Sequence, residues 1–339
     1  MSESDSPFEI ALDIGESDKD PADFRDAVTL ADGLGFDAAW LGDHFMPWTH
    51  GGNRSAFVWS VIGSALESSK KIKVGPYVTT PIGARYHPAL IAQASATLDN
   101  MYPGRFLLGV GTGEAINELP FLGRWPSWKE RSERLIEGTQ LIKNLWKNES
   151  YFDFSGRYFK EQQIFLYTKP RSKDLPIYIS GTGPKSARLA GEHSEGLITL
   201  SSRNSIERLK DTIFPSFDEG ARRAGKDPAR LGKIVSLSFT LESDRREYVR
   251  RRRPSAGNLA QGSLDEPDPR KIESMGMSLP DDEIISSTNF CSGWDEVHDL
   301  ISRFREIGAS QVVLESGPDL ERIRTYAKKI LSRFRHRED

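Results

Sequence analysis

The chain has 339 residues, 37% of them hydrophobic, with 46 basic and 49 acidic residues and a formal net charge of −3. That is apolar residue enough for one large α/β domain or two smaller ones, and so even a balance offers no global attraction to nucleic acid or to a membrane surface. A single cysteine, Cys291, excludes internal disulfides and cysteine-based metal sites.

No apolar run approaches the roughly 20 residues of a membrane span, and MSESDSPFEI at the amino end has no signal-peptide pattern. The expectation is a soluble, cytoplasmic protein. FEIALDI (8–14) reads as a strand. Asp20 then caps a helix with Pro21 in its first turn, and Phe24, Val28, Ala31 and Leu34 follow at helical spacing up to Gly35. FDAAWL (36–41) is a strand, AFVWSVIGSALESS (56–69) a helix, IKVGPYV (72–78) a strand, and HPALIAQASATLDNMY (87–102) a helix that stops at Pro103-Gly104. RFLLGVG (105–111) precedes the amphipathic SWKERSERLIEGTQLIKNLW (127–146).

The rhythm breaks at ESYFDFSGRYFKEQQIFLY (149–167), whose β-rich runs around Ser155-Gly156 predict an inserted antiparallel hairpin. It resumes with PIYIS (176–180), a helix from Pro184, GLITL (196–200), a helix from Ser205, and KIVSLSFTLE (233–242). Residues 243–285 are charged and rich in Pro and Gly, a second excursion with weak helices; WDEVHDLISRFREIG (294–308), QVVLE (311–315) and a basic terminal helix (319–335) complete the chain. Repeated βα units with near-continuous apolar strands imply a parallel sheet covered on both faces. The strand count favours a closed (β/α)8 barrel over an open doubly wound sheet. The expectation is one barrel domain over 1–339, with insertions near 149–167 and 243–285.

In either architecture the chemistry gathers where strands end. GDHFMPWTH (42–50) follows the second strand and collects an acid, two histidines and two aromatics. A lone histidine there is usually structural, but His44 has Asp43 to order its loop and Trp48 to wall it, and a neutral imidazole accepts a proton. General-base help is worth roughly 10²–10⁴ in rate. Zinc on His44, His50, His87 and Asp43 is the rival, but no helix carries H-x-x-x-H or H-E-x-x-H, so no metal is expected.

GVGTGEAIN (109–117) lacks the G-x-G-x-x-G spacing, and Glu114 beside its glycines would repel a pyrophosphate. Two readings stay open: Glu114 and Asn117 presented to a neutral or proton-exchanging ligand, or turn glycines with a helix-starting Glu. SGTGPK (180–185) suits a phosphate on free amides before Pro184, with Lys185 or Ser186 helping. RRRRP (250–254) reads as a solvated face or an anion contact.

GDHFMPWTH, TTPIGARYHPALIAQASATL (79–98), YPGRFLLGVGTGEAINE (102–118), LYTKP (166–170) and YISGTGPKSARLAG (178–191), in this order and spacing, resemble the coenzyme F420-dependent dehydrogenase branch of the luciferase-like monooxygenase superfamily, with its sugar-phosphate and secondary-alcohol enzymes. The likeness runs from about Phe8 to the last helix. It implies a (β/α)8 barrel, a homodimer, and a deazaflavin at the carboxyl ends of the strands. By this resemblance His44 takes the hydroxyl proton of an alcohol whose C–H hydride goes to the deazaflavin. Trp48 lies beside the reacting carbon, and Glu114 serves a ring nitrogen. Asp43, Thr80, Asn117, Thr182, Gly183, Lys185 and Ser186 hold the coenzyme, and a non-proline cis peptide at Tyr77-Val78 bulges against its ring.

The departures concern the substrate. Of three cations that hold phosphate in the sugar-phosphate enzymes, Arg203 matches the first, whereas neutral Gln261 and Ser287 fall at the others. One arginine without its partners makes a poor phosphate clamp, so another alcohol or hemiacetal is expected. The glutamate that relatives carry after the first strand falls near Glu16 or Ser17. An FMN-dependent monooxygenase or reductase on the same barrel, and a non-catalytic coenzyme-binding protein, are the competing readings.

Overall fold

The computed structural model describes residues 8–15, 19–52 and 54–335. Eight strands, β1 (Glu9–Gly15), β2 (Ala38–Leu41), β3 (Lys73–Pro76), β4 (Leu108–Val110), β5 (Ile177–Ser180), β6 (Gly196–Leu200), β7 (Gly232–Leu237) and β8 (Gln311–Glu315), pair in parallel in the order β3-β2-β1-β8-β7-β6-β5-β4. Val74 N donates to the Arg105 carbonyl at 2.8 Å and Thr79 N to the Gly109 carbonyl at 3.0 Å, which joins the β3 segment to the β4 segment. The sheet is thereby a closed barrel.

Around it lie α1 (Pro21–Leu34), α2 (Val58–Ser68), α3 (Pro88–Met101), α4 (Trp128–Lys147), α5 (Pro184–His193), α6 (Phe214–Arg223), α7 (Trp294–Glu306) and α8 (Leu320–Tyr326), one after each strand. The first shows why the ends fall where they do. Asp20 accepts from Ala22 N while Asp23 reaches back to Asp20 N, a reciprocal cap, and Gly35 at φ 92° turns the chain out of α1.

Alternation along each strand sorts side chains between two apolar layers. Ile10, Leu12 and Ile14 of β1 and Val312 and Leu314 of β8 pack outward against the helices. Ala11, Ala38, Trp40, Ile198, Ile234 and Val313 fill the barrel. Trp40 is fully buried, and its indole N–H donates to Gln311 Oε1 at 2.7 Å, satisfying the one polar group of that ring.

Two segments lie outside the eight-stranded barrel sheet. Phe152–Ser155 and Lys160–Ile164 pair as an antiparallel hairpin, and Glu137 on α4 accepts the Arg157, Tyr158 and Phe159 amides of its turn. The strand predicted over 233–242 splits after Leu237: Phe239–Thr240 leaves the barrel and pairs with Asn289–Phe290. Between these lie helices Arg245–Arg252, Pro269–Met277 and Asp281–Ser286, with a small core of Tyr248, Val249, Ala256, Ala260, Leu279 and Ile284. The excursion is thus a packed cap with better-formed helices than its composition predicts, because it buries apolar surface of its own. No helix among the described residues is long and apolar enough to cross a membrane.

Candidate active site

Glu114 sits at the N-cap of the short helix Ala115–Leu122, yet its side chain makes no capping bond. Instead Glu114 Oε2 stands 3.7 Å from His44 Nε2. Asn117, 3% exposed, lies between them. Its Oδ1 accepts from Phe45 N at 2.8 Å and Met46 N at 3.3 Å, and those two donors settle which end of the amide is which. Nδ2 therefore faces Glu114 Oε2 at 3.1 Å and His44 Nδ1 at 3.0 Å. The Met46 carbonyl is 3.2 Å from the same ring nitrogen, and Ser55 Oγ donates to the His44 carbonyl at 2.7 Å. Trp48 packs at 5.5 Å between ring centroids, tilted by 54° to the imidazole. Imidazole, carboxyl and indole thus meet, with one amide in contact with the first two.

Beneath them lies a buried ionic layer. Arg85 Nη2 bonds Asp43 Oδ1 at 2.9 Å, with both side chains almost wholly buried; Tyr86 donates to the same oxygen at 3.1 Å. Asp43 Oδ2 has no hydrogen-bond partner among the described residues. A buried unpaired carboxylate oxygen is costly unless something is meant to reach it. Arg85 N donates to Glu118 Oε2 at 3.2 Å. Burial pushes the Glu118 carboxyl up to about 7 against the pull of Arg85. Burial also raises Glu114 to about 7, opposed by the Asn117 bond. The 28% of the Glu114 side chain that stays accessible leaves it open to solvent or a ligand.

The peptide bond Tyr77-Val78 is cis. Val78 leans over bare strand: a Cβ on Gly111 would lie 2.7 Å from Val78 Cγ2. Gly113, at φ +74°, brings Glu118 and Thr80 together, and a Cβ there would meet them at 2.8 and 2.9 Å. Thr80 is accordingly 4% exposed. At the start of α5, Ser186 Oγ accepts from Gly183 N at 3.2 Å and donates to the Gly183 carbonyl at 2.9 Å. Thr182 and Lys185 are exposed beside that turn, and Asn204 holds the Thr182 carbonyl at 3.1 Å. The positive end of the α5 dipole is therefore presented with a lysine next to it.

Arg203 engages the cap. Its guanidinium donates to the Asn258 carbonyl at 2.7 Å and the Leu259 carbonyl at 3.4 Å, in the cap. Gln261 is exposed; Ser287 is buried and donates to the Ile284 carbonyl at 2.8 Å. Of RRRRP, Arg252 donates to the Ser255 carbonyl at 2.5 Å, and Arg253 donates to the Leu279 carbonyl at 2.6 Å and pairs with Asp281. Those two arginines brace the cap itself. Glu273 accepts from His50 N and Gly51 N, and Asp265 from Trp125 Nε1 at 2.6 Å, so the cap is tied to the loops after β2, β4 and β6.

Sequence reasoning left Arg85, Glu118, Asp13 and Glu315 unassigned. Strand alternation was the available signal for the last two: Asp13 is two residues beyond inward Ala11, and Glu315 two beyond inward Val313. The glutamate expected near Glu16 or Ser17 lies outside the described residues.

Residues 6–311 match the luciferase-like monooxygenase family. An F420-dependent glucose-6-phosphate dehydrogenase of Nakamurella multipartita is 32% identical over 319 residues, covering 93% of each chain. Another, from Rhodococcus jostii, is 34% identical over 309 residues, covering 89% of this chain and 90% of the relative. The solved structure of an F420-dependent secondary alcohol dehydrogenase in complex with an F420–acetone adduct superposes with a TM-score of 0.88 and 34% identity, over 96% of this chain and 99% of that one. A coenzyme F420-dependent tetrahydromethanopterin reductase from Methanopyrus kandleri, at 21% identity and a TM-score of 0.76 over 97% of this chain and all of its own, shares the fold. On this match of family, sequence and barrel geometry, the chain belongs to the luciferase-like monooxygenase family.

Proposed function

We propose that the protein is a coenzyme F420-dependent dehydrogenase that oxidises an alcohol or hemiacetal carbon. One observation carries the reading: an imidazole and a carboxyl 3.7 Å apart, bridged by one amide. The relatives' names support it, since both curated dehydrogenases and the 34%-identical structure are F420-dependent.

The residues fit the coenzyme. The backbone at Val78 and Gly111 leaves a ledge for a flat ring, the unmatched Asp43 Oδ2 offers an acceptor, and the α5 turn with Thr182, Gly183, Lys185 and Ser186 suits a phosphate. When bound, the deazaflavin supplies a carbon that accepts a hydride. His44 Nε2 takes the hydroxyl proton of the alcohol, in the tautomer whose Nδ1–H donates to the Met46 carbonyl, with the Asn117 amide packed against the same ring nitrogen. Trp48 excludes water from that side of the imidazole. Glu114 keeps a proton at its carboxyl up to about pH 7, where it meets negative charge that develops in the cleft. We further propose a homodimer, as the sequence resemblance implies, located in the cytoplasm.

The test is anaerobic mixing with oxidised coenzyme F420 and a panel of alcohols and sugars, followed by loss of the deazaflavin's visible absorbance. Oxygen consumption with reduced FMN instead would favour a monooxygenase, and tight coenzyme binding without turnover a binding protein. His44→Ala should lower turnover at least a hundredfold with coenzyme affinity within about threefold; undiminished turnover refutes the role given to His44.

A further inference from the structure

Four cations lead from the α5 turn to the cap, and hydrogen bonds through two asparagines link them. Lys185 stands exposed in the first turn of α5. Buried Asn204, in the loop after β6, donates to the Thr182 carbonyl at 3.1 Å and accepts from Arg208 Nε at 2.7 Å, which holds Arg208 one side chain away from that turn. Arg203, beside Asn204 in the same loop, donates to the Asn258 carbonyl at 2.7 Å. Arg252 donates to Asn258 Oδ1 at 3.4 Å and to the Ser255 carbonyl at 2.5 Å. Every bond that the three arginines make goes to a neutral oxygen, and none of the four cations pairs with a carboxylate among the described residues. Their neighbours differ. Arg188 pairs with Glu219 at 2.8 Å, Arg250 with Glu247 at 2.6 Å, and Arg253 with Asp281. Glu207, the acid next to Arg208 in the chain, is engaged by Arg303 at 3.2 Å.

We propose that Lys185, Arg208, Arg203 and Arg252 form a binding track for the carboxylates of the coenzyme's oligoglutamate tail. The inference rests on the F420-dependent reading and extends it past the phosphate. Beyond that phosphate the coenzyme continues as a lactyl group and a chain of γ-linked glutamates, each adding a carboxylate. With the phosphate at the α5 turn, a tail running along the loop after β6 meets Arg208, Arg203 and Arg252. Three physical points favour this ligand. Like charges gathered without acids repel one another and draw anions. Lys185 adds its charge to the positive end of the α5 dipole, an arrangement that an anion relieves. The Nη groups of Arg208 make no hydrogen bond among the described residues, which leaves its two-pronged edge open to a carboxylate. A phosphorylated substrate is the other source of negative charge. Its single phosphate suits cations clustered at one point, whereas a string of carboxylates suits cations spaced from a helix start to the cap.

The test is equilibrium binding to the full chain, read by deazaflavin fluorescence, of a long-tailed coenzyme and of the form that ends at the lactyl group. At low ionic strength the long-tailed form should bind at least about tenfold tighter, the product of four exposed ion contacts of roughly twofold each. At about 1 M salt, where screening shortens to roughly 3 Å, that advantage should shrink to about twofold or less. Arg208→Gln with Arg252→Gln should cut the low-salt advantage to about threefold, leaving affinity for the lactyl-ended form within about twofold of wild type. Arg208→Lys with Arg252→Lys keeps both charges and should keep most of the advantage, which separates charge from packing. The salt series needs no variant, so misfolding of either pair leaves the inference open to refutation. Equal affinity for the two forms, an advantage that salt does not reduce, or full advantage in the glutamine pair overturns it. A glutamine pair that raises KM for glucose 6-phosphate but keeps the full tail advantage assigns the cations to an anionic substrate and overturns it too. If neither form binds, the F420-dependent reading falls as well.

Discussion

Removing the Asn117 side chain tests the centre of the site most directly. Asn117→Ala deletes the acceptor of the Phe45 and Met46 amides, the donor to Glu114 and the amide packed against His44 Nδ1. The two neutral hydrogen bonds contribute about 1 kcal/mol each and the bond to the carboxylate about 1.5–3, so the fold should lose roughly 3.5–5 kcal/mol. Catalysis should lose more than that stability deficit implies, since displacing the base by about an ångström costs on the order of a hundredfold in kcat.

The pH profile separates positioning from general damage. The Asn117 bond lowers the Glu114 carboxyl, which burial holds at about 7. Without that donor the alkaline limb of kcat/KM should move up by about one pH unit, after allowance for the solvent-open part of Glu114. Asn117→Asp keeps an acceptor for Phe45 and Met46 but turns a second carboxylate toward Glu114, so it should fold better than the alanine variant and move the limb further. The assay is anaerobic coenzyme reduction from pH 5 to 9, with coenzyme affinity measured in parallel. Unchanged limbs with kcat within threefold of wild type would refute the positioning role. A loss confined to coenzyme affinity would return Asn117 to the coenzyme-binding role that the sequence resemblance implies.

Glu118 gives a stability prediction with a definite sign. The folded protein keeps its carboxyl protonated to about 7 while the unfolded chain releases the proton near the ordinary 4.5, so the folded state binds more protons between those values. Stability is therefore full below about pH 4.5 and falls as pH rises through 7, by roughly 3 kcal/mol for this group. In urea denaturation, Glu118→Gln should shrink the stability difference between pH 5 and pH 8 by about 1–3 kcal/mol; an undiminished difference excludes Glu118 as its source. Gly111→Ala would place a methyl 2.7 Å from Val78 Cγ2, forcing the ledge to move. It should weaken coenzyme binding at least tenfold and cost about 1–3 kcal/mol of stability, whereas coenzyme binding at wild-type strength would show that the ledge is not the seat of the ring.

Residue order alone was enough for the barrel. Strand runs buried on two faces read as continuous apolar segments, helices carry caps such as Asp20 and Gly35, and both signals are local. The loop from Asp43 to His50 was legible as a site because its acid, histidines and aromatics stand where a strand ends. Glu114 was ambiguous for a physical reason: an acid opening a helix looks the same whether it caps the amides or turns away, and the distant His44 and Asn117 decide between these.

What needed the tertiary structure were partnerships between residues far apart in the chain. Asn117 bridges to the loop more than seventy positions earlier. Arg203 goes to carbonyls that exist at that point only because the cap folds on its own small core. Asp13 meets Glu315 across some three hundred residues because a closed barrel sets its first strand beside its last. Alternation within a strand says which way a side chain points, but what stands opposite depends on which strands pair, and pairing is set by the closure of the whole sheet.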